Sequence, residues 1–172
     1  MRKWIDLLAE GQYVPPPAEY EADDAEHYDA LDRTGFFGEQ AAGVVFFAQD
    51  TKRLLLMLRS YAVLQPGTYG NCGGAHKSSE SPAAAAEREG REETGFSGDM
   101  SLVPAYVFRK GDFTYRNFIA VIDREFKPDL GWEASAHVWC EWGDWPHPLH
   151  FGMEALLSDP QTMQKFKELI DS

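Results

Sequence analysis

Residues 74–96 of this 172-residue chain read GAHKSSESPAAAAEREGREETGF, and the stretch predicts a helix with many charged residues in its second half. Ser81 and Pro82 are typical of a helix start, with serine as the N-cap and proline in the first helical position. Four alanines follow, and Gly95 is typical of a helix end. We therefore predict a helix that begins after Ser81 and ends near Glu93.

Three glutamates in this predicted helix share one face. At about 100° per residue, Glu89, Glu92 and Glu93 fall within an arc of about 100°. Like charges at this spacing destabilise a helix by a few tenths of a kcal/mol per pair, and here they lie near the negative end of the helix dipole. A hard divalent cation removes this penalty, because Mg²⁺ and Mn²⁺ prefer carboxylate oxygens. A solvated acidic face is the alternative interpretation.

The segments around the helix predict strands. Apolar runs at 43–47 and 53–58, joined by a polar turn, are typical of two strands, and a loop from Pro66 to Gly74 leads to the helix. We predict an α/β fold, an α/β/α sandwich with a mixed sheet. Its other elements are strands at 102–109, 114–123 and 136–142, a hairpin turn at 110–112, and helices at 153–157 and 161–170.

Composition and charge exclude several classes of function. Twenty-eight acidic and sixteen basic residues give a net charge of -12, which argues against binding to duplex nucleic acid or to an anionic membrane. Residues 1–40 carry more than half of this charge, so we interpret them as an acidic N-terminal extension and residues 41–172 as the folded domain. Two cysteines, with no signal peptide and no apolar span, predict a cytoplasmic protein.

The spacing of the charged residues and glycines resembles the Nudix box, G-x5-E-x7-R-E-U-x-E-E-x-G-U, where U is a bulky aliphatic or aromatic residue. Gly74, Glu80 and residues 88–96 match every charged and glycine position, and Phe96 is the closing U. The first U position departs from the pattern, since it holds Gly90. The resemblance covers roughly residues 41–145 and implies a Nudix hydrolase with the Nudix-type sandwich fold.

The departure at Gly90 concerns packing. On the helical wheel this glycine lies beside two alanines, Ala83 and Ala86, which form a small-residue stripe that we expect to face the sheet. Glycine in a helix interior costs about 1 kcal/mol relative to alanine. We therefore expect lower stability and intact chemistry.

The resemblance implies a metal site and roles for individual residues. The metal, Mg²⁺ or Mn²⁺, is expected on Glu89, Glu92 and Glu93 with the backbone carbonyl of Gly73, while Arg88 orients the glutamates through charge-assisted hydrogen bonds. The family typically adds a carboxylate ahead of a late strand, for which Glu133 fits best and Glu141 is the alternative. Glu89 is the preferred general base, although family members differ on this assignment.

The implied reaction is attack of a metal-activated water on one phosphorus of a diphosphate. The substrate is expected to be a nucleoside diphosphate derivative: a nucleoside triphosphate, a nucleotide sugar, ADP-ribose or a dinucleoside polyphosphate. Glycine at position 74 allows the backbone to approach a ligand closely. Candidate phosphate-binding cations are Arg59, Lys77, Arg109 and Arg116, of which Arg59, at the end of its strand, is the strongest.

Two other functions are compatible with the sequence. One is a Nudix-fold nucleotide-binding or regulatory module without turnover, against which the intact set of glutamates argues. The other is a protein-interaction domain whose acidic extension binds a basic partner. A homodimer is also compatible with the sequence.

Overall fold

The computed structural model describes residues 39–77 and 79–172, which form one mixed seven-stranded sheet and three helices. The predicted features of residues 1–38 lie outside the described residues. The strands are β1 (Gln40–Ala48), β2 (Arg53–Arg59), β3 (Tyr69–Gly70), β4 (Cys72–Ala75), β5 (Ser101–Lys110), β6 (Phe113–Ile122) and β7 (Ala134–Cys140). The helices are α1 (Pro82–Thr94), α2 (Phe151–Ser158) and α3 (Pro160–Asp171).

Strand β1 is the centre of the sheet. On one side it pairs in parallel with β6, which in turn pairs antiparallel with β5. On its other side it pairs antiparallel with β4 through Ala41–Val44 and with β2 through Phe47–Ala48. Strand β2 also pairs with β3 and β7. Because β4 and β2 use opposite ends of the same edge of β1, the sheet divides between them.

The helices cover the two faces of the sheet, as predicted for an α/β/α sandwich. Residues 41–48 are buried on both faces, as expected of a central strand. Val44 and Phe46 pack in the core that contains Ala85 and Ala86 of α1. Val45 and Phe47 point the other way, into the core that contains Met153 of α2 and Phe166 of α3.

Helix α1 begins and ends where the sequence predicts. The Ser81 side chain accepts a hydrogen bond from the Ala84 N–H at 3.2 Å, and Pro82 occupies the first turn. Gly95 adopts the left-handed conformation, with φ of 68°, and its N–H donates to the Arg91 carbonyl. This conformation favours glycine, which explains why the helix ends there.

The structure differs from the sequence prediction at two places in the sheet. The segment predicted as a loop from Pro66 to Gly74 contains β3 and the start of β4, because its small residues pair with the distant strands β1 and β2. Strand β7 begins and ends two residues before the predicted range 136–142. Among the helices that the structure describes, none has the length and hydropathy needed to span a bilayer.

Gly90 brings α1 close to the sheet. It is buried, and a Cβ atom added to it would lie 2.6 Å from Val44 Cγ2 and 3.3 Å from the Phe46 ring. The prediction that the small-residue face packs on the sheet is confirmed. Glycine is therefore required here by packing, and its low helix propensity is offset by the close approach of the helix.

We expect Gly90→Ala to lower the free energy of unfolding by about 1–3 kcal/mol, because the methyl group overpacks a buried contact. Helix propensity alone predicts the opposite, a gain of about 1 kcal/mol. Chemical denaturation measures the difference. Ala84→Gly, on the exposed face of the same helix, calibrates the propensity term, and a stability gain for Gly90→Ala of similar size would contradict the packing argument.

Candidate functional site

Glu89 and Glu93 contact the glycines of β4, and the charge of Glu133 acts on Glu93. Glu93 Oε1 accepts a hydrogen bond of 2.6 Å from the Gly73 N–H. Glu89 lies against Gly74, where an added Cβ would be 2.8 Å from the carboxylate carbon. Glu133 is held ahead of β7 by its backbone, since its carbonyl accepts from the Ser60 N–H at 2.8 Å. Residues that are distant in sequence are thus brought together.

Burial and the charges of neighbouring glutamates raise the pKa of all three carboxyls. For Glu93 the main cause is burial, followed by the charges of Glu133 and Glu89. For Glu133, burial and the charge of Glu89 raise the pKa to about 7, although the Arg59 guanidinium opposes the shift. Burial also raises the pKa of Glu89, and Arg88 opposes this shift. The site therefore concentrates negative charge that the protein only partly compensates.

Arg88 is the main internal counter-charge. Its guanidinium donates to Glu80 at 2.9 and 3.0 Å, to Glu89 Oε1 at 2.5 Å, and to Glu92 Oε2 at 3.0 Å. It also donates to the Ala75 carbonyl at 3.1 Å, which ties α1 to the end of β4. Burial lowers the pKa of Arg88, but its hydrogen bonds and charge interactions outweigh burial and raise that pKa. The predicted orienting hydrogen bonds are present in this geometry.

Glu92 is placed differently from the other two helix glutamates. Its side chain is 50% exposed, whereas that of Glu89 is 14% exposed. It contacts the site through its ion pair with Arg88, at 3.0 Å. The face that the helical wheel predicts as a single acidic cluster is therefore split into an inner pair, Glu89 and Glu93, and an outer Glu92.

The donor set fits a hard divalent cation in its chemistry. Buried carboxylate oxygens repel one another, and a bound cation relieves this repulsion. The glycines at 73–74 have no side chains that would separate β4 from the carboxylates. In residues 39–77 and 79–172, no three His, Cys, Asp or Glu side chains are already close enough to form a ligand cluster. Arg88 instead engages Glu89 and Glu92.

Arg59 is the candidate phosphate-binding residue nearest to the carboxylates. Its charge acts on Glu93 and Glu133, opposing the rise in their pKa values. Its Nε donates to the Leu64 carbonyl at 2.7 Å, which holds the side chain against the loop between β2 and β3. This bond uses the Nε edge of the guanidinium.

The other candidate cations are held further along the sheet or at the surface. Arg109 donates to Thr114 at 3.3 Å, and Arg116 donates to Gln40 at 2.7 Å. Lys77 is exposed after β4, and its backbone N–H donates to Glu80 Oε2. Glu141, the alternative to Glu133, lies beyond β7 in a surface hollow with Arg53 and Trp145.

Sequence reasoning assigned no role to three residues at this site. Glu80 is the principal partner of Arg88, and its fixed place in the box was the available signal. Tyr115 places its hydroxyl over both Gly43 and Gly73, where an added Cβ would be 2.1 and 2.0 Å from that oxygen. His150 flanks Gly70 together with Arg59. No local pattern marks the last two residues, because only the register of the sheet brings them here.

His150 is a neutral imidazole with a fixed tautomer. Burial and the charge of Arg59 lower its pKa to about 3. Its Nδ1 accepts from the Gly152 N–H at 3.2 Å and caps α2. The neutral ring must then carry its proton on Nε2, so it is a hydrogen-bond donor beside Arg59 across the physiological pH range.

The raised pKa of Glu133 predicts how the metal-free protein responds to pH. A carboxyl whose pKa is about 7 when folded and 4.5 when unfolded stabilises the fold fully below pH 4.5, and this stabilisation is lost as the pH rises through 7. In a chelating buffer, Glu133→Gln should therefore raise the free energy of unfolding at pH 8 by at most about 3 kcal/mol and leave it nearly unchanged at pH 4.

Urea titrations at pH 4, 6 and 8 measure this effect. Glu141→Gln, at an exposed position, is the matched control and should follow the wild type throughout. An equal stability gain for Glu133→Gln at pH 4 and pH 8 would show that its cause is not the buried charge.

Comparison with solved structures shows the same fold in several hydrolases. The Nudix hydrolase RenU of M. smegmatis is 23% identical, with a TM-score of 0.56 over 79% of this chain and 86% of that chain. A C. elegans Ap4A hydrolase binary complex is 18% identical, with a TM-score of 0.57 over 76% of this chain and 98% of that chain. The E. coli dihydroneopterin triphosphate pyrophosphohydrolase is 20% identical, with a TM-score of 0.53 over 78% and 97%.

The sequence itself matches the family model of the NUDIX domain over residues 39–159, which is more than half of the chain. A search of curated proteins finds no match to the sequence. The family match includes β1, β4 and α1, which form the carboxylate site, and it extends beyond β7. The chain therefore belongs to the Nudix family and is a Nudix hydrolase, a pyrophosphohydrolase.

Proposed function

We propose that this enzyme hydrolyses a diphosphate linkage in a nucleoside diphosphate derivative, and that it requires Mg²⁺ or Mn²⁺. The observation that carries the proposal is the contact of Glu89 and Glu93 with the Gly73–Gly74 backbone, with the charges of Glu133 and Arg59 acting on the same carboxylates. Two structural relatives, named as an Ap4A hydrolase and a dihydroneopterin triphosphate pyrophosphohydrolase, support a substrate with linked phosphates.

The residues that would hold the cation are Glu89, Glu92, Glu93 and Glu133, with the backbone at Gly73. When bound, the cation supplies a lowered pKa for its water and neutralises phosphoryl oxygens. The Gly73 N–H fixes the orientation of Glu93 through its 2.6 Å hydrogen bond. Arg88 donates to both Glu89 and Glu92, which fixes the positions of these two carboxylates relative to each other.

Glu89 is suited to accept the proton of the attacking water. Arg88 engages its Oε1, so Oε2 is the oxygen that takes the proton. Burial raises the pKa of this carboxyl, which makes it a stronger base than an exposed glutamate. As the water oxygen bonds to phosphorus, the bond to the bridging oxygen breaks and the leaving phosphate departs.

Arg59 and His150 are suited to bind the phosphates that do not react. The Arg59 guanidinium is anchored by Leu64 and lies within the field of Glu93 and Glu133. The Nε2–H of His150 adds a neutral donor beside it. A cation and a neutral donor together bind phosphate oxygens while adding only one positive charge next to the carboxylates.

A phosphate-release screen tests the proposal. It covers nucleoside triphosphates, nucleotide sugars, ADP-ribose and dinucleoside polyphosphates, each with Mg²⁺, with Mn²⁺ and with a chelator. We expect turnover of at least one class that the chelator abolishes. Turnover that persists in chelator, or none in any class with either metal, would refute the proposal, and binding without turnover would indicate a regulatory module.

In the same assay, Glu93→Gln should lower kcat by about 100-fold or more, because loss of even an outer-shell partner of a metal site costs about 10–100-fold. Glu87→Gln is the matched control on the same helix, since Glu87 pairs only with Arg91 among the described ion pairs, at 2.9 Å. It should retain wild-type activity. Equal activity of the two variants would remove Glu93 from the mechanism.

A second pair of variants decides between the two candidate carboxylates near β7. Glu133→Gln should lower kcat by about 10–100-fold, because Glu133 lies within the field of Glu89 and Glu93. Glu141→Gln should leave kcat unchanged, since Glu141 lies in the hollow beyond β7. The reverse order of effects would assign the role to Glu141. Circular dichroism of both variants checks that they are folded.

A further inference from the structure

Tyr115 of β6 places its hydroxyl in a notch that two glycines leave in the sheet. Gly43 of β1 pairs with Gly73 of β4, so the two residues lie side by side and neither has a side chain. A Cβ atom added to Gly43 would lie 2.1 Å from the Tyr115 hydroxyl oxygen, and one added to Gly73 would lie 2.0 Å from it. The hydroxyl oxygen therefore occupies the space of both missing side chains.

The register of the sheet explains how Tyr115 reaches this notch. Tyr115 pairs with Ala41 in the parallel pairing of β1 and β6. Ala41 and Gly43 are two residues apart on β1, so they face the same side of the sheet. The tyrosine ring therefore extends along that face from the level of Ala41 to Gly43 and, on the next strand, to Gly73.

Gly73 connects the notch to the carboxylates. Its N–H donates the 2.6 Å hydrogen bond to Glu93 Oε1. Glycine has the greatest backbone freedom of any residue, so the direction of this N–H depends on the atoms that pack around the glycine. Two neighbours restrict it: β1 pairs with Gly73 through Gly43, and the Tyr115 hydroxyl packs against it on one face of the sheet.

The Tyr115 hydroxyl also lies within the field of the carboxylates. Burial raises the pKa of Tyr115, and the charge of Glu93 raises it further, although the Arg59 guanidinium opposes the shift. The phenol is therefore neutral across the physiological pH range. It fills the notch without adding a negative charge beside Glu93, whose own pKa is already raised by neighbouring carboxylates.

We propose that Tyr115 is a positioning residue, whose hydroxyl fixes the Gly73 peptide and, through the Gly73 N–H, the carboxylate of Glu93. Its consequence for metal binding rests on the proposed function, whereas its effect on the Gly73 peptide does not. Tyr115→Phe removes the one oxygen that contacts both glycines and keeps the aromatic ring. Gly73 then regains conformational freedom, and its hydrogen bond to Glu93 weakens.

Amide hydrogen exchange of the full chain, followed by NMR in a chelating buffer, tests the local effect. Tyr115→Phe should speed exchange of the Gly73 N–H by about fivefold or more and leave the amides of β1 unchanged, because one hydrogen bond is weakened and the rest of the sheet is intact. Tyr106→Phe, which removes a hydroxyl from the neighbouring strand β5, is the control and should keep wild-type rates. An unchanged Gly73 rate in Tyr115→Phe, or faster exchange across the whole sheet, overturns the inference.

A double-mutant cycle on Mn²⁺ binding, measured by electron paramagnetic resonance, tests whether Tyr115 acts through Glu93. Tyr115→Phe should raise the Kd for Mn²⁺ by about tenfold in the wild-type background, as expected for loss of an outer partner of a metal site. In the Glu93→Gln background the same change should have little further effect. Equal effects in the two backgrounds overturn the inference.

The two measurements separate this inference from the proposed function. If the wild type does not bind Mn²⁺ and hydrolyses no substrate in the screen, the proposed function fails. The exchange rate of the Gly73 N–H still decides the role of Tyr115 in that case, because it is measured without metal or substrate.

Discussion

The close contact between α1 and β1 sets the geometry of the whole site. Because residue 90 has no side chain, the helix approaches Val44 and Phe46 closely enough that an added Cβ would lie 2.6 Å from Val44. At this depth Glu89 reaches the backbone of Gly74, and Glu93 accepts from the Gly73 N–H. A helix raised by the width of a methyl group would carry both carboxylates away from β4. Gly90, the one departure from the family pattern, thus allows α1 to pack closely against β1.

Burying three carboxylates in this arrangement is electrostatically unfavourable. Burial and the charges of neighbouring glutamates raise the pKa values of Glu89, Glu93 and Glu133, and Arg88 and Arg59 oppose only part of these shifts. A fold selected for stability alone has no reason to bury three carboxylates together. The cost makes sense in a site that takes up a cation, since binding energy is largest where the uncompensated charge is largest. The packing of α1 and the hydrogen bond from Gly73 provide the rigidity that holds these groups in place.

The division of the sheet brings the remaining groups to the carboxylates. Strands β4 and β2 leave opposite ends of the same edge of β1, so the space between them is bordered by both strands. Arg59 at the end of β2, Glu133 ahead of β7 and His150 at the start of α2 all border this space. Different elements of the fold thus bring these side chains to one opening in the sheet.

Local patterns in the sequence are enough to predict the helix, its limits and the acidic face that it carries. Ser81, Pro82 and Gly95 define the helix ends through local backbone conformation, and the spacing of the glutamates places them on one face. Both features can be predicted without a tertiary structure. The net charge of -12 was informative through its distribution, since more than half of it lies in residues 1–40 and three of the remaining glutamates share one face of the helix. The α/β/α arrangement likewise followed from the order of the elements.

Which charges face the site, and what surrounds them, depends on contacts between distant parts of the chain. The helical wheel places Glu92 and Glu93 on the same face of α1 and does not distinguish them. In the structure Arg88 donates to Glu92 at the surface, whereas the Gly73 N–H donates to the buried Glu93. The positions of strand β4 and Tyr115 and the Asn71–Asn117 hydrogen bond depend on pairing between segments 28 to 74 residues apart. Such pairings follow from the register of the sheet as a whole, and no local sequence pattern encodes them.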